Sequence, residues 1–134
     1  MVLVAQNESK LSNLKLPLFA EWVLTYNWSR RLIKLEFEVL QFESSHSLDD
    51  QMLLNWSKTF LDILEINVMN NVENQLSLII NVSDEQSRFI FDFTGILKNK
   101  REVEEWLEDQ KMNGQNIEIE QLDEEVLVIH VIVD

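Results

Sequence analysis

The sequence predicts an α+β domain: a largely antiparallel sheet of about five to six strands with two to three helices packed on it. Three observations lead there. Several segments of strand length alternate apolar with polar residues, two others repeat their apolar residues every three to four positions behind a capping residue, and turn-forming residues separate the segments. A chain of 134 residues, 46% hydrophobic, with seven Phe and four Trp, can bury one core, so a single domain over 1–134 is expected.

Residues 1–30 are the part whose form the pattern leaves most open. Leu16, Leu18, Ala20, Trp22, Leu24, Tyr26 and Trp28 fit period 2, whereas Pro17 at a helix start with Phe19, Trp22, Val23 and Tyr26 fits period 3.6. An N-terminal helix over 18–26 is favoured. From 31 to 43, Ile33, Leu35, Phe37 and Val39 alternate with Lys34, Glu36 and Glu38, which predicts a half-buried strand; at Leu40 and Phe42 the apolar residues change face, which predicts a bulge or bend. Ser47 can cap a helix whose side carries Leu48, Met52, Trp56 and Phe60 and which ends near Leu61.

Leu64, Ile66 and Val68 then read as a short strand, the Asn-rich 70–74 as a turn, and Leu76–Val82 and Phe89–Phe93 as further strands, together an antiparallel meander of three. Asn99 and Glu102 form a capping box for a helix over 100–112 that buries Val103, Trp106 and Leu107, and Asn113-Gly114 stops it. Ile117 and Ile119 open another strand. Asp123-Glu124 turns it into Val126–Val133, which is apolar on both faces and belongs in the middle of a sheet or at a dimer interface.

The net charge is −13. It is uneven: residues 1–42 carry five Lys/Arg against four Asp/Glu, residues 43–83 one against six, and residues 84–134 five against fourteen. Such a field repels nucleic acid and attracts a basic partner. No apolar run approaches the roughly 20 residues of a membrane span, and the N-terminus lacks the basic start of a secretory signal, so the expectation is a cytoplasmic protein that neither crosses a membrane nor binds nucleic acid directly. Without cysteine there is no disulfide and no thiolate chemistry.

Catalytic motifs are sparse. The two histidines, His46 in a polar loop and His130 within the last apolar strand, have no neighbouring motif that supplies a partner. Two glycines, Gly95 and Gly114, do not make a phosphate loop or a dinucleotide fingerprint. Residues 109–120 match a calcium loop at Asp109, Asn113, Gly114 and Glu120, but Lys111 replaces an oxygen ligand and strand-like alternation follows where a helix should. No cofactor, no metal and no catalytic residue are expected.

The candidate contacts are therefore carboxylates: Glu104, Glu105, Glu108 and Asp109 on the exposed side of the last helix, Glu118 and Glu120 on the strand after it, and Asp123, Glu124 and Glu125 in the turn. A second cluster joins Trp22, Tyr26, Trp28, Arg30 and Arg31; most of its aromatics fit a core, while Trp28, Arg30 and Arg31 have the chemistry of a binding hot spot. In size, acidity and lack of catalytic motifs the chain resembles, as a class, bacterial immunity proteins and other inhibitors that neutralise basic toxins or nucleases. That resemblance implies a non-enzymatic inhibitor that covers a basic enzyme's active surface. The alternatives are a small acidic secretion chaperone, similar to type III effector chaperones and dimeric through the Val126–Val133 strand, and a metal-assisted hydrolase.

Overall fold

The computed structural model describes residues 2–29, 31–42 and 48–133. Two helices, α1 (Val2–Ser12) and α2 (Pro17–Thr25), lead through a short 3-10 turn (Tyr26–Trp28) into β1 (Ile33–Phe42). Then follow α3 (Asp50–Asn67), the strands β2 (Asn74–Val82) and β3 (Ser87–Thr94), α4 (Lys100–Met112), and the strands β4 (Ile117–Leu122) and β5 (Val126–Val133). The five strands form one sheet in the order β1-β2-β3-β5-β4. The fold is α+β as the sequence predicts, with four α-helices among the described residues where two to three were expected.

Three of the four pairings are antiparallel; β1 and β2 run parallel. This corrects the three-stranded meander. Parallel neighbours cannot be joined by a tight turn, and α3 is the crossover that carries the chain back. It continues past Leu61 through Leu64 and Ile66 to Asn67, so the segment expected as a strand is the last part of a helix. Leu53, Trp56, Phe60, Leu61 and Leu64 are all buried, a 3.6-residue period that outweighs the short 64–66–68 alternation. Only Val68 keeps strand character, bridging to Leu97. The expected Ser47 cap lies outside the described residues; the N-cap is Asp49, whose carboxylate accepts from the Met52 N–H at 3.0 Å.

The strand alternation holds residue by residue. In β2 Leu76, Leu78, Ile80 and Val82 are buried, and in β3 Phe89, Phe91 and Phe93. These residues face the helices: Phe19 of α2 meets Phe89 edge-on at 5.6 Å, and Phe91 lies 5.7 Å from Trp56 and 5.3 Å from Phe60 of α3. Trp106 joins α4 to the same cluster, 5.5 Å from Trp56 and 5.8 Å from Phe60. The bulge expected near Leu40 is present as a register shift between Val39 and Gln41.

β5 is the strand read as apolar on both faces, and it lies inside the sheet, bonded to β3 on one side and β4 on the other. Both rows of its backbone groups are used, so dimerisation by strand addition at Val126–Val133 is corrected. The edge strands are β1 and β4, and two asparagines cover the open side of β1. Asn27 accepts from the Leu35 N–H at 3.1 Å and donates to its carbonyl at 2.7 Å; Asn7 of α1 accepts from the Val39 N–H at 3.3 Å and donates to the Phe37 carbonyl at 3.4 Å. Each amide imitates a neighbouring strand.

α4 ends as its sequence predicts. Gly114 takes φ +98°, its N–H and that of Gln115 bond back to the carbonyls of Lys111 and Gln110, and the chain leaves the helix. Gly95 is required for another reason: a Cβ there would overlap the amide of Asn74 and the ring of Phe93. Asn74, buried at the start of β2, donates to the Met69 carbonyl and accepts from the Ile96 N–H, tying the two loops together.

Candidate functional site

Three surface regions bring polar or reactive side chains together. The first is the acidic end formed by α4 and the β4–β5 turn. Glu104, Glu105, Glu108 and Asp109 project from the exposed face of α4 because Val103 and Leu107 turn inward. Glu105 pairs with Arg101 at 3.2 Å and Glu108 with Lys111 at 3.6 Å, so half of this set is neutralised within its own helix. Asp123 accepts from the backbone N–H groups of Glu125 and Val126 at 2.9 and 2.8 Å and from the Gln121 amide at 3.0 Å. The Gln121 bond first, and then the two backbone bonds, hold its carboxyl below the usual aspartate value of 3.8. The unfolded chain takes up that proton more readily, so the turn's contribution to stability is present above about pH 3.8 and lost as pH falls below it. Asp123 thus closes a turn, while Glu124 and Glu125 beside it are exposed and lie near Lys100 at the start of α4.

The second region is the sheet face opposite the helices. Cross-strand register sets Ile90 of β3 against His130 of β5, and His130 against Glu118 of β4. Arg88 reaches Glu118 at 3.1 Å and the His130 Nδ1 at 3.1 Å, and the His130 Nε2 lies 3.0 Å from Glu120. A guanidinium only donates, so Nδ1 accepts and the Nε2–H donates to the Glu120 carboxylate. Glu118 and Glu120, expected as partner contacts, are engaged here within the sheet. The alternation indicated which way they face; the cross-strand pairing was not readable from it. His46 lies outside the described residues, and among those residues no group of three or more His, Asp or Glu side chains is placed to hold a metal ion.

The third region is the N-terminal helical end. The expected Trp28, Arg30 and Arg31 cluster does not form as one surface. Trp28 is 82% exposed, Arg30 lies outside the described residues, and Arg31 turns back to pair with Glu65 at 3.3 Å and to cover the Tyr26 ring at 4.9 Å. Tyr26 is buried and its hydroxyl has no hydrogen-bond partner among the described residues; burial, then the Glu65 charge, push its pKa well above the usual tyrosine range. A residue that pattern reading missed organises this end. Asp50, the first residue of α3, accepts from the Leu18 and Phe19 N–H groups at 3.0 and 2.9 Å and so caps α2 from another helix. Pro17 gives no N–H at the first helical position, which leaves these two as the donors to satisfy.

The fold is that of the catalytic domain of the histidine kinase ThkA, matched with a TM-score of 0.56 over 87% of this chain and 90% of that one, at 14% identity. Residues 15–134 match the family described as sporulation initiation phospho-transferase B, C-terminal, and the chain belongs to that family. Sporulation initiation phosphotransferase B of Bacillus subtilis (strain 168) is 36% identical over 97 residues, which is 71% of this chain and 50% of that protein. The chain spans about half the length of this curated relative.

Family membership overturns the functional expectations drawn from charge. An inhibitor or immunity protein against a basic toxin or nuclease, a secretion chaperone and a metal-assisted hydrolase are all corrected, and so is the expectation of a protein outside enzymology, since the family is named for a phosphotransferase. Net charge reports which partners a surface attracts, and it does not report which reaction a domain serves. No helix among the described residues is long and apolar enough to cross a membrane.

Proposed function

We propose that the chain serves phosphoryl transfer in a phosphorelay that initiates sporulation, as the α+β domain that presents protein-binding surface to the relay's other proteins in the cytoplasm. The observation that carries this reading is the family match over 15–134, which takes in α2, the whole sheet and both later helices. The exposed carboxylates Glu104, Asp109, Glu124 and Glu125 offer charge to such partners.

Nucleotide binding is not part of the reading, despite the kinase-like fold. The space between α3 and α4 is filled by Trp56, Phe60 and Trp106, with the Trp56 indole N–H donating to Gln110 at 3.1 Å, and two glycines provide no phosphate-cradling loop. Nor is His130 the phosphoryl carrier. Both ring nitrogens are engaged, and a phosphoryl group on Nε2 would have to displace the Glu120 carboxylate and lie beside its negative charge. What this chain's residues contribute is orientation of partners, through a sheet and helices held rigid by the shared aromatic core.

The test is phosphate-affinity electrophoresis of the relay's phosphoproteins from source cells with and without the gene for this chain. Loss of the acceptor's phosphorylated band is expected; an unchanged pattern would overturn the reading.

A further inference from the structure

The cleft between α1 and α2 is not accounted for by the core or by the acidic end. Its volume is about 570 Å³, and its apolar lining comes from Pro17, Ala20, Leu24 and Trp28. Those four recur every three to four residues, so they form one stripe along α2 and the turn after it. A stripe of this kind normally faces a core, yet Trp28 is 82% exposed at its end. Glu8 of α1 and Glu21 of α2 stand beside the stripe, and among the described residues neither has an ion-pair partner. This contrasts with Glu105, Glu108, Glu118 and Glu65, all of which are paired.

We propose that this cleft is a docking groove for an amphipathic helix of a partner protein, one that lays an apolar stripe against Leu24 and Trp28 and sets Lys or Arg beside Glu8 and Glu21. Charge complementarity selects this occupant. A second copy of the chain does not supply it, because none of the four α-helices among the described residues carries net positive charge. An anionic membrane surface would meet the same two carboxylates on a chain of net charge −13. Helix-in-groove recognition uses apolar anchors spaced as the stripe requires, and an exposed Trp is the residue type that dominates such contacts. The inference goes beyond the phosphotransfer reading, because docking needs no reaction and is measured without one.

The experiment titrates the full chain with a synthetic helical peptide whose leucines recur every three to four positions between flanking lysines, and with the same peptide carrying glutamates instead. With the lysine peptide, the indole N–H resonance of Trp28 moves and tryptophan emission shifts to the blue; the glutamate peptide does neither. Trp28→Ala, whose fold is checked by circular dichroism, weakens binding about tenfold or more. Glu8→Lys combined with Glu21→Lys inverts the preference between the two peptides. The proposal is overturned by any of four results: no binding of the lysine peptide, binding that Trp28→Ala leaves unchanged, resonance shifts confined to α4, or Trp28-dependent binding to vesicles of anionic phospholipid. Sedimentation showing self-association that Trp28→Ala abolishes would assign the groove to a second copy and overturn it as well.

Discussion

α4 is capped entirely from nearby in sequence, whereas α2 is capped by Asp50, 31 and 32 residues from the N–H groups it satisfies. At α4, Asn99 accepts from the Glu102 N–H at 3.2 Å, and the helix closes through Gly114 and Gln115 onto Lys111 and Gln110. The same contrast runs through the strands. β4 and β5 form a hairpin whose turn is held by Asp123, while the edge of β1 is covered by Asn7 and Asn27, from 32 and 8 residues away. One half of the domain is thus shaped by local devices. The other exists only once remote segments have met.

The largest effect should come from the core that both halves share. Phe60 is fully buried against Trp56, Phe91 and Trp106, so Phe60→Ala is expected to cost about 3–5 kcal/mol in urea denaturation and to lower one common transition. Two separate transitions in the variant would show that the halves are independent. A sharper comparison sets Asp50→Ala against Asn99→Ala. The first removes a cap shared by two donors and is expected to cost about 1–2 kcal/mol; the second removes a single-bond cap and should cost about 1 kcal/mol or less. Hydrogen exchange should then quicken at Leu18 and Phe19 in the first variant and at Glu102 in the second. The smallest effect is expected at Tyr26. Its buried hydroxyl has no partner among the described residues, so Tyr26→Phe should leave stability within about 0.5 kcal/mol or raise it. A loss above 1.5 kcal/mol would mean that the hydroxyl is bonded after all.

The local half was legible. The Asn99 cap, the stop at Asn113-Gly114, the alternation of β2 and β3 and the apolar run of Val126–Val133 all follow from residues within a few positions of one another, and each is present. In the other half, the bulge after Val39 is visible as a change of face, but the parallel pairing of β1 with β2 is not, because the alternation of Leu64, Ile66 and Val68 imitates a strand where α3 continues to Asn67. Periodicity reports which side of an element is buried and says nothing of which neighbour lies beside it. The carboxylates expected as contacts lie on exposed surface, yet several are paired with residues from other strands or along the same helix. The family was not legible from motifs at all, since its signal is spread along 15–134 instead of concentrated in reactive residues.

By itself, the sequence determined the element types over most of the chain, the faces they bury and the local turns and caps, because those depend on side-chain period and on backbone groups a few residues apart. Only the tertiary structure decided the strand order, the capping of α2 by Asp50, the covering of the β1 edge by two asparagines and the exposure of Trp28. Each of these depends on segments distant along the chain, and their proximity is fixed by how the whole core packs.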